Sequence, residues 1–103
     1  MDVQLKKGIL DLCVLSALSR GESYGYKIIS DLDGIIEISE STLYPILKRL
    51  ETGGFITART AEYSGRLRRY YKITTFGLEK LKSGKDDLQE IHSIYKAIFG
   101  GRI

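Results

Sequence analysis

Leu43, Ile46, Leu47 and Leu50 recur at the i, i+3, i+4, i+7 spacing that lays one apolar stripe along a helix, and Gly53-Gly54 stops the pattern. Such a stripe needs a core to lie on. Phe55 to Glu62 then reads as an extended segment, Ser64-Gly65 as a tight turn, and Leu67 to Thr74 as a second extended segment. A short amphipathic helix running into a basic-tipped hairpin leaves few architectures. The pattern predicts a mainly α chain with a two-stranded β wing, a winged helix-turn-helix, followed by a long C-terminal helix.

The face opposite the stripe carries Ser41, Thr42, Tyr44, Pro45, Lys48, Arg49 and Thr52. It is cationic and rich in hydroxyls, so it can offer hydrogen bonds to base edges and charge to phosphates, as a helix in a DNA major groove must. Ser39 can cap this helix. Pro45 lacks an N–H and forfeits the backbone bond to Ser41, which is expected to distort the first turns. In the return strand Leu67, Arg69, Tyr71 and Ile73 share one face and Arg68, Tyr70 and Lys72 the other. The plainer alternative is a solvated helix and hairpin whose charges serve only solubility.

The distribution of charge favours the first reading. The formal net charge is +3, but residues 1–40 hold four Lys/Arg against seven Asp/Glu, residues 41–82 hold nine against three, and residues 83–103 hold three of each. Positive potential is thus concentrated on the helix and hairpin, where it can steer a polyanion. With 103 residues the chain makes one modest core. No apolar run approaches the roughly 20 residues that span a bilayer. Lys6-Lys7 ahead of an apolar run resembles a signal peptide, but Asp11 interrupts it, so the segment reads as folded structure. One cysteine excludes an intramolecular disulfide and fits a reducing cytoplasm.

Leu5 to Ser19 is expected to be the first helix, apolar over most of its circumference and central to the bundle, with Cys13 a small buried hydrophobe. Ser23 is placed to cap a second helix, Tyr24 to Leu32, whose Ile28, Ile29 and Leu32 face inward. Tyr24 and Lys27 are candidates to touch the DNA backbone. Packing of Tyr24 and Tyr26 against the core is an equal alternative. Asp33-Gly34 ends the helix. Thr74 or Thr75 can cap the last helix, which runs to Phe99.

In that last helix Leu81, Gly84, Leu88, Ile91, Tyr95 and Ile98 alternate spacings of three and four, a heptad seam bordered by Leu78, Ile94 and Phe99. Its length exceeds what a small winged domain can cover, and pairing with a second copy answers the exposure. Gly84 marks a weak spot where the helix can kink. The organisation expected is a winged helix-turn-helix over residues 1–75 and a dimerisation helix over 76–103.

Catalytic and metal chemistry find no footing. The chain has a single His and a single Cys, and no Gly-rich phosphate loop opens a helix. Asp86, Asp87 and Glu90 read as a solvated face. Neither an enzyme nor a cofactor is expected.

The segments S-T-L-Y-P-I-L-K-R-L-E-T-G-G-F-I and G-R-L-R-R-Y-Y-K-I-T-T-F-G-L-E-K-L, with E-S-Y-G-Y-K-I upstream, resemble the PadR family of bacterial transcriptional regulators over about residues 5–82. The single short C-terminal helix resembles that family's small subgroup of homodimeric repressors. The resemblance implies a dimer that binds a palindromic operator and is released by a small effector. It puts Ser41, Thr42, Tyr44, Pro45, Lys48 and Arg49 on the recognition helix, and Gly65, Arg66, Arg68, Arg69 and Tyr70 on the wing, whose tip includes Ser64. Some small members bind flat aromatic drugs between tryptophans at the dimer centre. This sequence has no Trp, Leu88 lies near that position, and Tyr95, Phe99 and His92 are candidates to line a different pocket.

The partners expected are therefore double-stranded DNA, a second copy and a small-molecule effector, with no membrane. The alternatives are a multidrug-sensing repressor and a winged-helix module that docks proteins through its wing.

Overall fold

A computed structural model describes residues 1–101, which form α1 (Val3–Leu18), α2 (Gly25–Leu32), α3 (Glu40–Thr52), β1 (Ile56–Tyr63), β2 (Arg66–Ile73) and α4 (Thr75–Phe99). The expected class, mainly helical with a two-stranded wing and a long last helix, is the one observed. The three first helices enclose one core. Val14, Leu15 and Leu18 of α1, Ile28 of α2 and Leu43, Leu47 and Leu50 of α3 are at most 1% exposed, and Ile56 of β1 closes the layer. Burying each such side chain is worth roughly 1.5–3 kcal/mol, so Leu47→Ala should cost about 2–5 kcal/mol.

Capping departs from the local sequence signals in three places. The Asp2 carboxylate accepts from the Leu5 N–H at 3.0 Å, so α1 begins earlier than its apolar stripe suggests. Ser23 does not cap α2. Its N–H donates to the Tyr71 carbonyl and the Tyr71 N–H donates back, at 3.0 and 2.8 Å, which lays residue 23 alongside β2 and leaves Tyr24 at the N-cap position. Two long-range backbone bonds outweigh one local side-chain cap, and the buried Ser23 hydroxyl has no partner. Ser39 does occupy the N-cap position of α3, but its hydroxyl bonds those of Ser41 and Thr42 and no helix N–H.

α3 runs unbroken through Pro45. The forfeited bond would have ended on the carbonyl of Ser41, an exposed residue that water can satisfy. At the other end Gly54, with φ +81°, supplies the left-handed residue, whereas Gly53 remains helical. β1 and β2 pair antiparallel from Ile56↔Ile73 to Tyr63↔Arg66. Ser64 and Gly65 both take positive φ, 51° and 78°, the backbone of a tight two-residue hairpin turn. The base of the wing is buried through Ile56 and Tyr71, and its tip stands in solvent.

Thr74 caps α4. Its hydroxyl accepts from the Gly77 N–H at 3.1 Å and donates to the Gly54 carbonyl at 2.8 Å, tying the start of α4 to the end of α3. Gly77 lies so close to the Phe55 carbonyl and Ile73 that a Cβ there would collide with both. Gly84 is covered by the tip of the Leu12 side chain, which a Cβ there would displace. It therefore faces α1 of its own chain and is neither a free seam position nor a loose point, and α4 continues through it. Leu81 likewise packs partly against the core.

Beyond Gly84 every residue of the helix is exposed. Leu88, Ile91, Ile94, Tyr95, Ile98 and Phe99 are 41–59% exposed. The radius of gyration, 15.6 Å, exceeds the roughly 13 Å of a compact chain this long, and the longest dimension is 59 Å. Exposed Val3 and Leu5 of α1 and Ile35 add apolar surface that heptad reasoning about α4 did not include. Among the described residues no helix is long and apolar enough to cross a membrane.

Candidate nucleic-acid interface

The inward stripe of α3 fixes which way its other face looks. With Leu43, Ile46, Leu47 and Leu50 in the core, Ser41, Thr42, Tyr44, Pro45 and Lys48 all stand in solvent. Tyr44 also reaches α2. Its hydroxyl end rests on the first residue of α2, Gly25, where any Cβ would strike the phenol. A groove of about 480 Å³ separates this region from the wing, lined among others by Tyr24, Tyr44, Tyr63, Arg66, Arg68 and Arg69. The structure thus brings α3, the start of α2 and the wing to one side of the molecule.

The cations on this side are not equivalent. Arg49 is half-buried and bonded to Asp11 of α1, which is only 9% exposed. A carboxylate at such depth is costly unless paired. This explains how α1 carries an acid in the middle of its apolar run. Arg69 donates to both oxygens of Glu51, at 3.2 and 3.1 Å. Arg59, which composition alone did not single out, makes a two-point contact with Glu22 at 2.8 and 2.5 Å. Lys27 bonds Asp31 one turn along α2 at 2.9 Å. Among the described residues Lys48, Arg66 and Arg68 have no carboxylate partner.

Arg68 is held by rings. Its guanidinium carbon lies 3.9 Å from the Tyr24 ring centroid and 4.1 Å from that of Tyr63, and Tyr24 meets Tyr70 edge to face at 5.9 Å. Tyr63, Arg59, Glu22, Glu51, Asp11 and Gly25 are the residues that sequence reasoning missed. Strand alternation could have found Tyr63 and Arg59, which share a wing face with Arg68 and Tyr70 in the observed register. The partners of Arg49 and Arg59 lie 38 and 37 residues away, beyond any local pattern.

Titration follows these contacts. The hydrogen bonds from Arg59 hold Glu22 below the usual carboxylate range. The Glu40 carboxylate beside Tyr26 pushes that phenol up, and burial does the same to Tyr71 and to the Cys13 thiol. Cys13, expected to be buried, is only half-buried and borders a second, mostly apolar cleft of about 520 Å³ between α1, the end of α2 and α4. Leu88 and His92 line it. Tyr95 and Phe99 meet with tilted rings, 5.4 Å between centroids, farther along α4 and outside that lining. Among the described residues no group of three His, Cys, Asp or Glu could hold a metal.

A family model described as the transcriptional regulator PadR-like family matches residues 14–83. The chain resembles a PadR-like transcriptional regulator from Bacillus cereus, with 32% identity, a TM-score of 0.82, and coverage of 96% of this chain and 99% of that one. The negative transcriptional regulator PadR of Bacillus subtilis is 35% identical over 78 residues, 71% of this chain and 43% of that protein. The crystal structure of Bacillus subtilis PadR in complex with operator DNA matches at 31% identity and a TM-score of 0.67, covering 73% of this chain and 45% of that one.

Proposed function

This chain belongs to the transcriptional regulator PadR-like family, and we propose that it is a homodimeric repressor of the small subgroup that binds a pseudo-palindromic operator and is released by a small-molecule effector. As a PadR-type regulator it is not an enzyme. The observation that carries the reading is the side shared by α3 and the wing, where an exposed hydroxyl-rich helix face lies across a groove from arginines without carboxylate partners. The relative solved with operator DNA supports it.

In this reading residues 1–75 bind DNA and residues 76–103 dimerise. Ser41, Thr42, Tyr44 and Pro45 meet base edges in the major groove, with Tyr44 set in place by Gly25. Lys48, Arg66 and Arg68 supply most of the phosphate attraction, and Arg49 and Arg69 less, because each already faces a carboxylate. Tyr24, Lys27, Ser64, Gly65 and Tyr70 flank the duplex. The negative regulator among its relatives supports repression. The apolar arm from Leu88 to Phe99 supports dimerisation. The cleft beside Leu88 and His92 supports a small-molecule effector, with planar aromatic compounds as a second reading.

Selection of bound sites from a random duplex library tests the whole. A symmetric site with half-sites about one helical turn, roughly 34 Å, apart is expected. Recovery of no shared sequence would refute an operator-binding role.

A further inference from the structure

The wing and the start of α2 are separate elements that meet through one contact of unusual chemistry. Tyr63 ends β1, and the register puts it opposite Arg66, so its ring reaches the diagonal neighbour Arg68. Tyr24, at the N-cap of α2, brings a second ring to the same guanidinium. We infer that Tyr24 and Tyr63 are positioning residues that clamp Arg68 by its π faces and present it, with its charge intact, as a phosphate-gripping group of the wing.

The contrast with the neighbouring arginines carries the argument. Arg49, Arg59 and Arg69 are fixed by carboxylates, which immobilise a guanidinium and cancel its charge together. An aromatic face immobilises it through a quadrupole and leaves the net charge in place. Among the described residues no carboxylate takes up the Arg68 N–H donors, and a guanidinium's donors match a phosphate in a forked geometry. A lysine could also rest on a ring with its charge intact, but it has no planar fork to offer a phosphate. Because Tyr24 belongs to α2 and Tyr63 to β1, the same clamp holds the wing to the helix-turn-helix, so that both address a duplex as one body.

This inference rests on the DNA-binding reading above, and the test separates the two. Affinity for a random-sequence duplex is measured against KCl for the full-length protein and for Tyr63→Leu, Tyr63→Phe and Arg68→Met. The arginine side-chain NMR signals of the free proteins are recorded alongside. In the unaltered protein the Arg68 Nε–H resonance should be displaced by ring currents, in Tyr63→Phe it should stay displaced, and in Tyr63→Leu it should move toward the ordinary arginine position. Tyr63→Leu should bind about three- to fivefold more weakly, with nearly the original salt slope, and Tyr63→Phe should restore binding. Arg68→Met should lower the slope of log K against log salt by about 0.9.

Unaltered affinity in Tyr63→Leu, with Arg68→Met weakened, would overturn the clamp alone. An unaltered slope in Arg68→Met would overturn it by removing the phosphate contact. Absence of salt-dependent duplex binding by the unaltered protein would overturn the functional reading and the clamp together.

Discussion

Glu51→Gln should make this protein bind DNA more tightly. Glu51 closes the last turns of α3 and accepts two bonds from Arg69, whose strand neighbours Arg66 and Arg68 line the groove facing α3. Arg69 gains a stronger hold on its proton from that pairing, but its charge is largely screened from a phosphate. Replacing the carboxylate by an amide keeps the shape and releases one cation. One further neutralised phosphate steepens the slope of log K against log salt by about 0.9, which amounts to about eightfold tighter binding at 0.1 M relative to an unchanged value near 1 M. An exposed ion pair adds little to stability, so thermal unfolding should barely move. Fluorescence anisotropy with a labelled random-sequence duplex across a KCl series reads the slope directly. An unchanged or shallower slope in Glu51→Gln would show that Arg69 faces no phosphate, or that Glu51 does not restrain it.

Gly77→Ala should destabilise the fold by about 1–3 kcal/mol, since the added methyl meets the Phe55 carbonyl and Ile73. Gly8→Ala, where nothing lies within 4 Å, should instead stabilise it by roughly 0.5–1 kcal/mol; calorimetry compares the two. Charged residues at Leu88 and Ile91 should yield monomers in sedimentation, and an intact dimer would count against the α4 seam. Because Arg59 lowers the pKa of Glu22 in the folded protein, their pairing stabilises fully above the unfolded value of about 4.3 and is lost as pH falls through the folded one. For so exposed a pair that gain is small, as for Glu51, so the check is an NMR titration in which Arg59→Met should bring the Glu22 carboxylate up toward its ordinary range; an unmoved titration would refute the pairing.

The amphipathic stripe of α3, the alternation of β2 and the length of α4 were legible because each is a local periodicity that the core then enforces. Leu43, Ile46, Leu47 and Leu50 bury themselves as their spacing requires. Ser23 was misread because a serine ahead of a helix is a strong local cap signal, and only the fold brings Tyr71 within backbone reach. Asp11 looked like an interruption in an apolar run until Arg49 came to meet it from α3. Five cations that count alike in the sequence, Lys48, Arg49, Arg66, Arg68 and Arg69, divide among the described residues into three without carboxylate partners and two paired. The outward face of α3 was thus readable as a face, while the strength of its individual charges was not.

Gly84 sets a distance that matters far from where it sits. Its bare backbone lets α4 lie directly on Leu12, and about 22 Å of helix extends past that point to Phe99. The contact is a fulcrum. Each degree that a larger residue tilted the arm would carry its tip about 0.4 Å sideways, by the same helical rise. A single missing methyl group in the middle of a helix thus leaves room for the Leu12 side chain beneath the root of the arm.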